Sequence, residues 1–203
     1  MFISFEGIDG VGKSTQIRLA EDYLRSKGKE VVCTLEPGGT ELGHEIRNLL
    51  LHRKGDVAPR AEALLYAADR AHHVATKVRP ALEAGKVVIT DRFLDSSVAY
   101  QGAGRKLSAE DVRNISMWAV DGLLPDVTFL IDLDPAIAAE RRKGTGEEPD
   151  RLELEKIDFF QAVRDEFLKL ADAEPNRFLI VDATKSPTEM FAHITKKLDE
   201  LLG

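Results

Sequence analysis

The chain has 203 residues, 43% of them hydrophobic and 31% charged, with a formal net charge of −7 at pH 7. That length suits one large domain that buries its own core, and the acidic balance argues against tracking a nucleic-acid backbone on a broad basic surface. No apolar run is long enough for a bilayer and no signal-peptide pattern is present, so a cytoplasmic protein without a membrane partner is expected.

The run Phe2-Ile3-Ser4-Phe5 predicts a first strand, Phe2 to Glu6, leading into Gly7-Ile8-Asp9-Gly10-Val11-Gly12-Lys13-Ser14. Those residues fit the G-x-x-x-x-G-K-[ST] phosphate-binding loop, and Ile17, Ala20, Tyr23 and Leu24 behind them recur at helical spacing. Strand, loop and helix in that order grip a nucleoside triphosphate. Gly7, Gly10 and Gly12 release the backbone, so that N–H groups turn toward phosphate oxygens at a helix N-terminus. Lys13 is expected at the β- and γ-phosphates and Ser14 on Mg²⁺, with Gly7, Ile8, Asp9, Gly10, Val11, Gly12 and Thr15 completing the nucleotide-binding segment.

A second strand is predicted at Val31 to Leu35, where Cys33, the single cysteine, packs as a small hydrophobe. Leu42, Ile46, Leu49 and Leu50 share one helical face, and Leu64, Leu65, Ala68, Ala71, Ala75, Val78 and Leu82 make a longer one. Val87 to Thr90 forms a third strand, Ser108 with Asp111 caps a helix, and Val127 to Leu133 is a fourth strand before a helix opened by Asp134-Pro135. The charged, glycine-bearing stretch 141–151 reads either as an exposed turn or as a lid that closes Arg141, Arg142 and Arg151 over a transferring phosphoryl group. Ile157, Phe160, Val163, Phe167 and Leu170 mark a further helix, Phe178 to Asp182 a fifth strand, and Ser186-Pro187-Thr188-Glu189 a capped last helix. The alternation predicts α/β class: one domain, 1–203, with a five-stranded parallel sheet flanked by helices on both faces.

Phosphate-binding loops serve switches, motors and kinases alike. A guanine-reading N/T-K-x-D element is missing, since Pro187 follows Thr184-Lys185-Ser186, and a motor needs more chain. A small-molecule kinase requires a second anionic site at the C-terminal ends of the strands. Thr90-Asp91-Arg92 supplies it: Arg92 can bridge donor and acceptor phosphates with its planar fork, and Asp91 can orient Mg²⁺ or its waters. Asp132, which also ends an apolar strand, competes for that metal-facing role, and the pattern leaves the choice open. His44, His52, His72, His73 and His193 form no triad or metal-ligand pattern and are expected on solvated helical faces.

Asp91-Arg92-Phe93-Leu94-Asp95-Ser96-Ser97-Val98-Ala99-Tyr100-Gln101-Gly102 resembles the signature of thymidylate kinases, which convert dTMP to dTDP with ATP. Phe5 to Gly10, Glu36-Pro37-Gly38-Gly39-Thr40, Ile46-Arg47, Tyr66 to Arg70 and Asp150-Arg151-Leu152-Glu153 match that family in the same order, across nearly the whole chain. The resemblance implies that Arg92 and Arg47 hold the acceptor phosphate, Arg70 donates to the thymine carbonyl, Tyr66 stacks on thymine, and Ser97 reads the base edge. It puts Gln101 among the substrate-binding residues and Tyr100 where it crowds the sugar 2′-carbon. Asp9 is implied to set the 3′-hydroxyl and the acceptor-site arginine. Gly10 stands where one branch of the family carries a catalytic arginine. With Arg141, Arg142 and Lys143 it resembles the other, commonly bacterial branch, whose catalytic basic residues lie in the lid. Leu35 and Phe93 depart from a frequent arginine and tyrosine. ATP and Mg²⁺ as cofactors, and a homodimer, are likewise implied.

Overall fold

A computed structural model describes residues 1–143 and 150–203, so the centre of the predicted lid, 144–149, lies outside the described residues. Five strands, β1 (Phe2–Glu6), β2 (Val31–Leu35), β3 (Val87–Asp91), β4 (Val127–Asp132) and β5 (Phe178–Asp182), form one parallel sheet in the order β2-β3-β1-β4-β5. β1, between two partners and under helices, is buried at every position, so its sequence runs without polar alternation. The edge strands β2 and β5 are only partly buried, and Leu35 and Ile180 are exposed. β3 extends one residue beyond its predicted end, to Asp91, and β4 stops one short of Leu133.

Helices α1 (Lys13–Ser26), α2 (Glu41–Arg47), α3 (Pro59–His73), α4 (Arg79–Glu83), α5 (Leu94–Ser97), α6 (Ala109–Ala119), α7 (Pro135–Lys143), α8 (Ile157–Ala173) and α9 (Pro187–Leu202) flank the sheet. α1 packs with α9 and against β1 to β3, whereas α8 lies against β4, β5 and α5. Ala20 and Leu24 of α1 are fully buried, while Ile17 and Tyr23 sit at the margin of the core. Ser108 and Ser186 accept from the N–H of Asp111 and Glu189, and Glu189 answers with the reciprocal bond of a capping box.

Two helical faces differ from the sequence expectation. Ile46 and Leu50 are buried, but Leu42 and Leu49 are exposed; α2 gives way to a π-helical turn at Asn48–His52, which shifts the face at Leu49. The long apolar pattern from Leu64 to Leu82 breaks into α3, a π-helical turn Val74–Val78, and α4, with Pro80 near its start. A third wide turn, Val98–Gly104, continues α5 and carries Tyr100 and Gln101 toward the C-terminal edge of the sheet.

Candidate active site

The loop after β1 takes its shape from glycine. Gly7, Gly10 and Gly12 have φ of 133°, 86° and 96°, values that side chains resist. At Gly10 a Cβ would also stand 2.5 Å from the Ala138 carbonyl oxygen of α7, so no side chain fits there without moving that helix. α1 starts at Gly12 with no side-chain cap, leaving its first N–H groups to an anion. Ile8 and Val11 bury their side chains in the core and contribute backbone to the cradle, while Ser14 is exposed at the helix mouth and Thr15 half-buried. Lys13 folds over the loop and donates to the carbonyls of Gly7 and Ile8, each at 3.1 Å. Burial and the neighbouring Arg92 lower its pKa.

Arg92 joins this cradle to a second pocket. Its Nη1 donates to Gly7 O at 3.0 Å and Ser96 Oγ at 3.1 Å, and its Nη2 to Asp9 Oδ1 at 2.7 Å and Tyr100 Oη at 3.1 Å. The residue holds a left-handed backbone, φ 68°, which turns the chain from β3 into the loop before α5. Burial opposes the charge of Asp9, but Arg92 and Lys13 outweigh it and hold the carboxyl well below its ordinary range. Behind Arg92, Ser96 donates to the buried Glu6, which also accepts the Phe93 N–H at 2.7 Å. Burial, and then the nearby Asp95, raise the Glu6 pKa.

The second pocket is a cleft lined by Asp9, Glu36, Arg47, Tyr66, Arg70, Arg92, Ser97, Tyr100 and Gln101 among others. Sequence reasoning expected seven substrate-binding residues, Arg47, Tyr66, Arg70, Arg92, Ser97, Tyr100 and Gln101, and the fold brings all of them to this cleft. Arg47 donates to Pro37 O at 2.8 Å, and the Arg92 guanidinium lies 4.9 Å from the centre of the Tyr100 ring. Arg70 is fully buried: its Nε donates to Glu36 at 2.7 Å, Nη1 to Ser116 at 3.2 Å, and Nη2 to Phe93 O and Ser97 Oγ, each at 3.1 Å. Of the five N–H groups of a guanidinium that leaves one, on Nη1, without a partner among the described residues.

His73 departs from expectation. Rather than facing solvent it is fully buried, with Nδ1 2.8 Å from Glu36 and Nε2 2.7 Å from Thr34 Oγ1, because α3 turns this face onto the Glu36-to-Thr40 loop. A Cβ on Gly39 would collide with this ring, and one on Gly43 with Asp69, so the two glycines let the loop close on α3. His44, His52 and His193 are exposed and His72 is half-buried.

For a divalent cation the structure separates the two aspartates. Asp132 is held by Arg164 in a two-pronged pair at 2.8 and 2.9 Å, whereas Asp91 keeps a buried Oδ1 with no hydrogen-bond partner among the described residues. Asp91 at the end of β3 and the exposed Ser14 hydroxyl therefore fit Mg²⁺, which retains waters and takes few protein ligands. Among the described residues no group of three or more His, Cys, Asp or Glu could hold a metal by itself.

At the predicted lid, Arg141 is exposed. Arg142 lies 5.5 Å from the Phe160 ring and donates to Glu153 O at 3.3 Å. Its charge is felt at Asp9. Arg151, expected among the catalytic residues, is turned toward the acceptor side: it donates to Leu50 O at 2.8 Å and pairs with the buried Glu62. Sequence reasoning passed over Glu62, Arg105 and Arg164, because their partners lie far away in the chain and leave no local mark.

The family model for thymidylate kinase matches residues 5–194. A thymidylate kinase of Leifsonia xyli subsp. xyli is 60% identical over 98% of this chain and 94% of its own length, and one from Halothermothrix orenii is 47% identical over 98% and 96%. The crystal structure of thymidylate kinase from Ehrlichia chaffeensis superposes with a TM-score of 0.79 at 34% identity, covering 98% of both chains. A phosphate-binding loop and a neighbouring cleft that share one arginine stand on a chain similar to these enzymes from end to end, and the chain belongs to the thymidylate kinase family, the kinases that phosphorylate dTMP.

Proposed function

We propose that the whole chain, 1–203, works as one kinase domain that transfers the γ-phosphate of ATP to dTMP, with a lid at about 141–151. An acceptor phosphate oxygen attacks the γ-phosphorus in line, the bond to the β–γ bridging oxygen breaks, and ADP leaves with the electron pair. The acceptor phosphate is already ionised at neutral pH, so no general base is required. The observation that carries this reading is Arg92, whose fork touches Gly7 of the nucleotide loop and Tyr100 of the cleft at once.

Each side chain then has a task. Lys13 and the N–H groups of Gly7 to Thr15 hold the ATP phosphates, with Asp9 among them turned to Arg92 and the acceptor sugar. Arg92 and Arg47 hold the dTMP phosphate, Tyr66 lies against the base, and Tyr100, fixed under Arg92, leaves no room for a 2′-hydroxyl. The spare Arg70 N–H, the Ser97 hydroxyl and the Gln101 amide face the base edge. Arg141 and Arg142 bring charge to the γ-phosphate from the lid, and the clash of any residue 10 side chain with α7 supports that division. Arg151 joins them as a lid residue and in this state contacts Glu62. Ser14 and Asp91 would hold Mg²⁺, which when bound supplies neutralising charge between the β- and γ-phosphates.

A homodimer is proposed through α3 and α6, where Trp118, 84% exposed, and Leu64, 56% exposed, flank adjoining apolar hollows on the side of α3 away from Arg70. Among the described residues no helix is long and apolar enough to cross a membrane; a cytoplasmic place and the lack of a nucleic-acid partner are part of the same reading. A coupled assay of ADP release with dTMP, dUMP, UMP, CMP, AMP and thymidine tests the function. dTMP is expected to be the preferred acceptor, and equal rates with AMP or thymidine would overturn the assignment.

A further inference from the structure

Glu62 lies outside the cleft wall, yet it is completely buried on α3, one turn before Tyr66. Its Oε1 accepts from Gln101 Nε2 at 2.9 Å and from Arg105 Nε at 3.2 Å, and its Oε2 accepts from Arg151. We propose that Glu62 is a positioning residue that fixes the Gln101 amide with its carbonyl oxygen toward the base, so that the cleft selects a pyrimidine with an N–H at ring position 3.

The two ends of a glutamine amide are opposite in kind, and an ionised carboxylate only accepts. Gln101 must therefore give its NH₂ to Glu62, since the reversed amide would set carbonyl oxygen against carboxylate oxygen. Two guanidiniums beside Glu62 supply the counter-charge that keeps an acceptor at this point. Gln101 is 1% exposed and lines the cleft, and its Oε1 has no hydrogen-bond partner among the described residues. Arg70, with one N–H left over, lines the same cleft, and Gln101 offers that cleft an acceptor. Thymine answers that acceptor with N3–H. Cytosine has no hydrogen on N3 and meets a mismatch there. Buried polar groups left unpaired are what allow a site to reject a near-isosteric ligand. The 5-methyl group plays no part, so dUMP passes this check.

The inference rests on dTMP occupying this cleft, and the experiment separates the two claims. kcat and KM for dTMP and dCMP are compared in wild type, Glu62→Gln, Glu62→Asp and Gln101→Ala. Glu62→Gln can donate or accept, which frees the Gln101 amide to reverse; the dTMP-to-dCMP ratio of kcat/KM is expected to fall by about 10-fold or more, chiefly through KM. Glu62→Asp, still only an acceptor, is expected to recover part of the ratio. A Glu62→Gln enzyme that slows equally on both nucleotides would show a structural role alone and overturn the proposal. If Gln101→Ala leaves the ratio unchanged, the base is not read there and the cleft assignment falls together with the proposal. Because Glu62→Gln could unfold, the wild-type enzyme gives a second reading by NMR. The Gln101 side-chain N–H₂ protons are expected to exchange slowly and to keep their shifts when dTMP binds, and a large shift there would equally overturn it.

Discussion

Removing the Arg92 side chain separates its two roles, because the residue carries both a phosphate contact and a strained backbone. Its guanidinium already spans Gly7, Ser96, Asp9 and Tyr100, so it is preorganised before any ligand arrives. Its four Nη N–H groups are engaged within the protein, and among the described residues only Nε–H is left for the acceptor phosphate. A hydrogen bond to a charged group contributes about 1.5–3 kcal/mol, so losing that one costs about 10–10²-fold in kcat/KM for dTMP. Both Arg92→Ala and Arg92→Gly should show that loss in the coupled assay, while ATP binding measured by calorimetry persists. The backbone answers differently. At φ 68° alanine keeps a left-handed strain of about 1–2 kcal/mol that glycine relieves, so Arg92→Gly should melt above Arg92→Ala by roughly 2–8 °C. A near-normal dTMP rate in either variant would remove Arg92 from the mechanism, and equal melting temperatures would refute the backbone argument.

Gly10→Ala puts a methyl group against Ala138 O at a φ of 86°; a loss of about 1–3 kcal/mol in stability and weaker ATP binding are expected from melting curves and calorimetry, and an unchanged protein would contradict the packing described. Asp91→Asn should raise the Mg²⁺ concentration for half-maximal rate by about 10-fold with the fold intact, whereas Asp132→Asn, in losing its pair with Arg164, should act mainly on stability. Glu6 has a folded pKa above its unfolded value, so over that window the folded state holds the extra proton and the slope of stability with pH is negative. Stability contributed by protonated Glu6 is therefore present in mild acid and declines as pH rises above the ordinary glutamate range. Urea titrations across that range should show Glu6→Gln free of this decline, and parallel curves for the two proteins would disprove it.

The strands were legible because a parallel sheet covered on both faces demands short unbroken apolar runs, as in Phe2–Glu6 and Val127–Asp132. The nucleotide loop was legible because its glycines answer a local backbone need, and the cleft residues through the family resemblance. Glu62 was not. It meets Gln101 39 residues later and Arg151 89 residues later, and pattern alone reads a glutamate on α3 as solvated. His73 was misread for the same reason: its partners Thr34 and Glu36 belong to β2 and the loop after it. Leu49 failed through geometry, since a π-helical turn alters the period on which the helical reading relied.

An acidic chain that must hold two phosphates faces a conflict, and the carboxylates behind the arginines resolve it. Arg92 is backed by Asp9, Arg70 by Glu36, Arg151 by Glu62 and Arg177 by Asp95, the second pair being 1% exposed on both sides. Buried pairs of this kind are weak contributors to stability, because desolvation offsets much of their attraction. Their value lies in geometry. A guanidinium whose inner edge is fixed by a carboxylate has few rotamers left, so it meets the ligand with little further loss of entropy. The same pairing offsets positive charge within the site: burial, and then Arg92, lower the Lys13 pKa, and Asp9 acts to raise it. A net charge of −7 and a dianionic acceptor are thus compatible in one fold: carboxylates that face inward pair with arginines, and Arg92, at the proposed phosphate site, is one of those arginines.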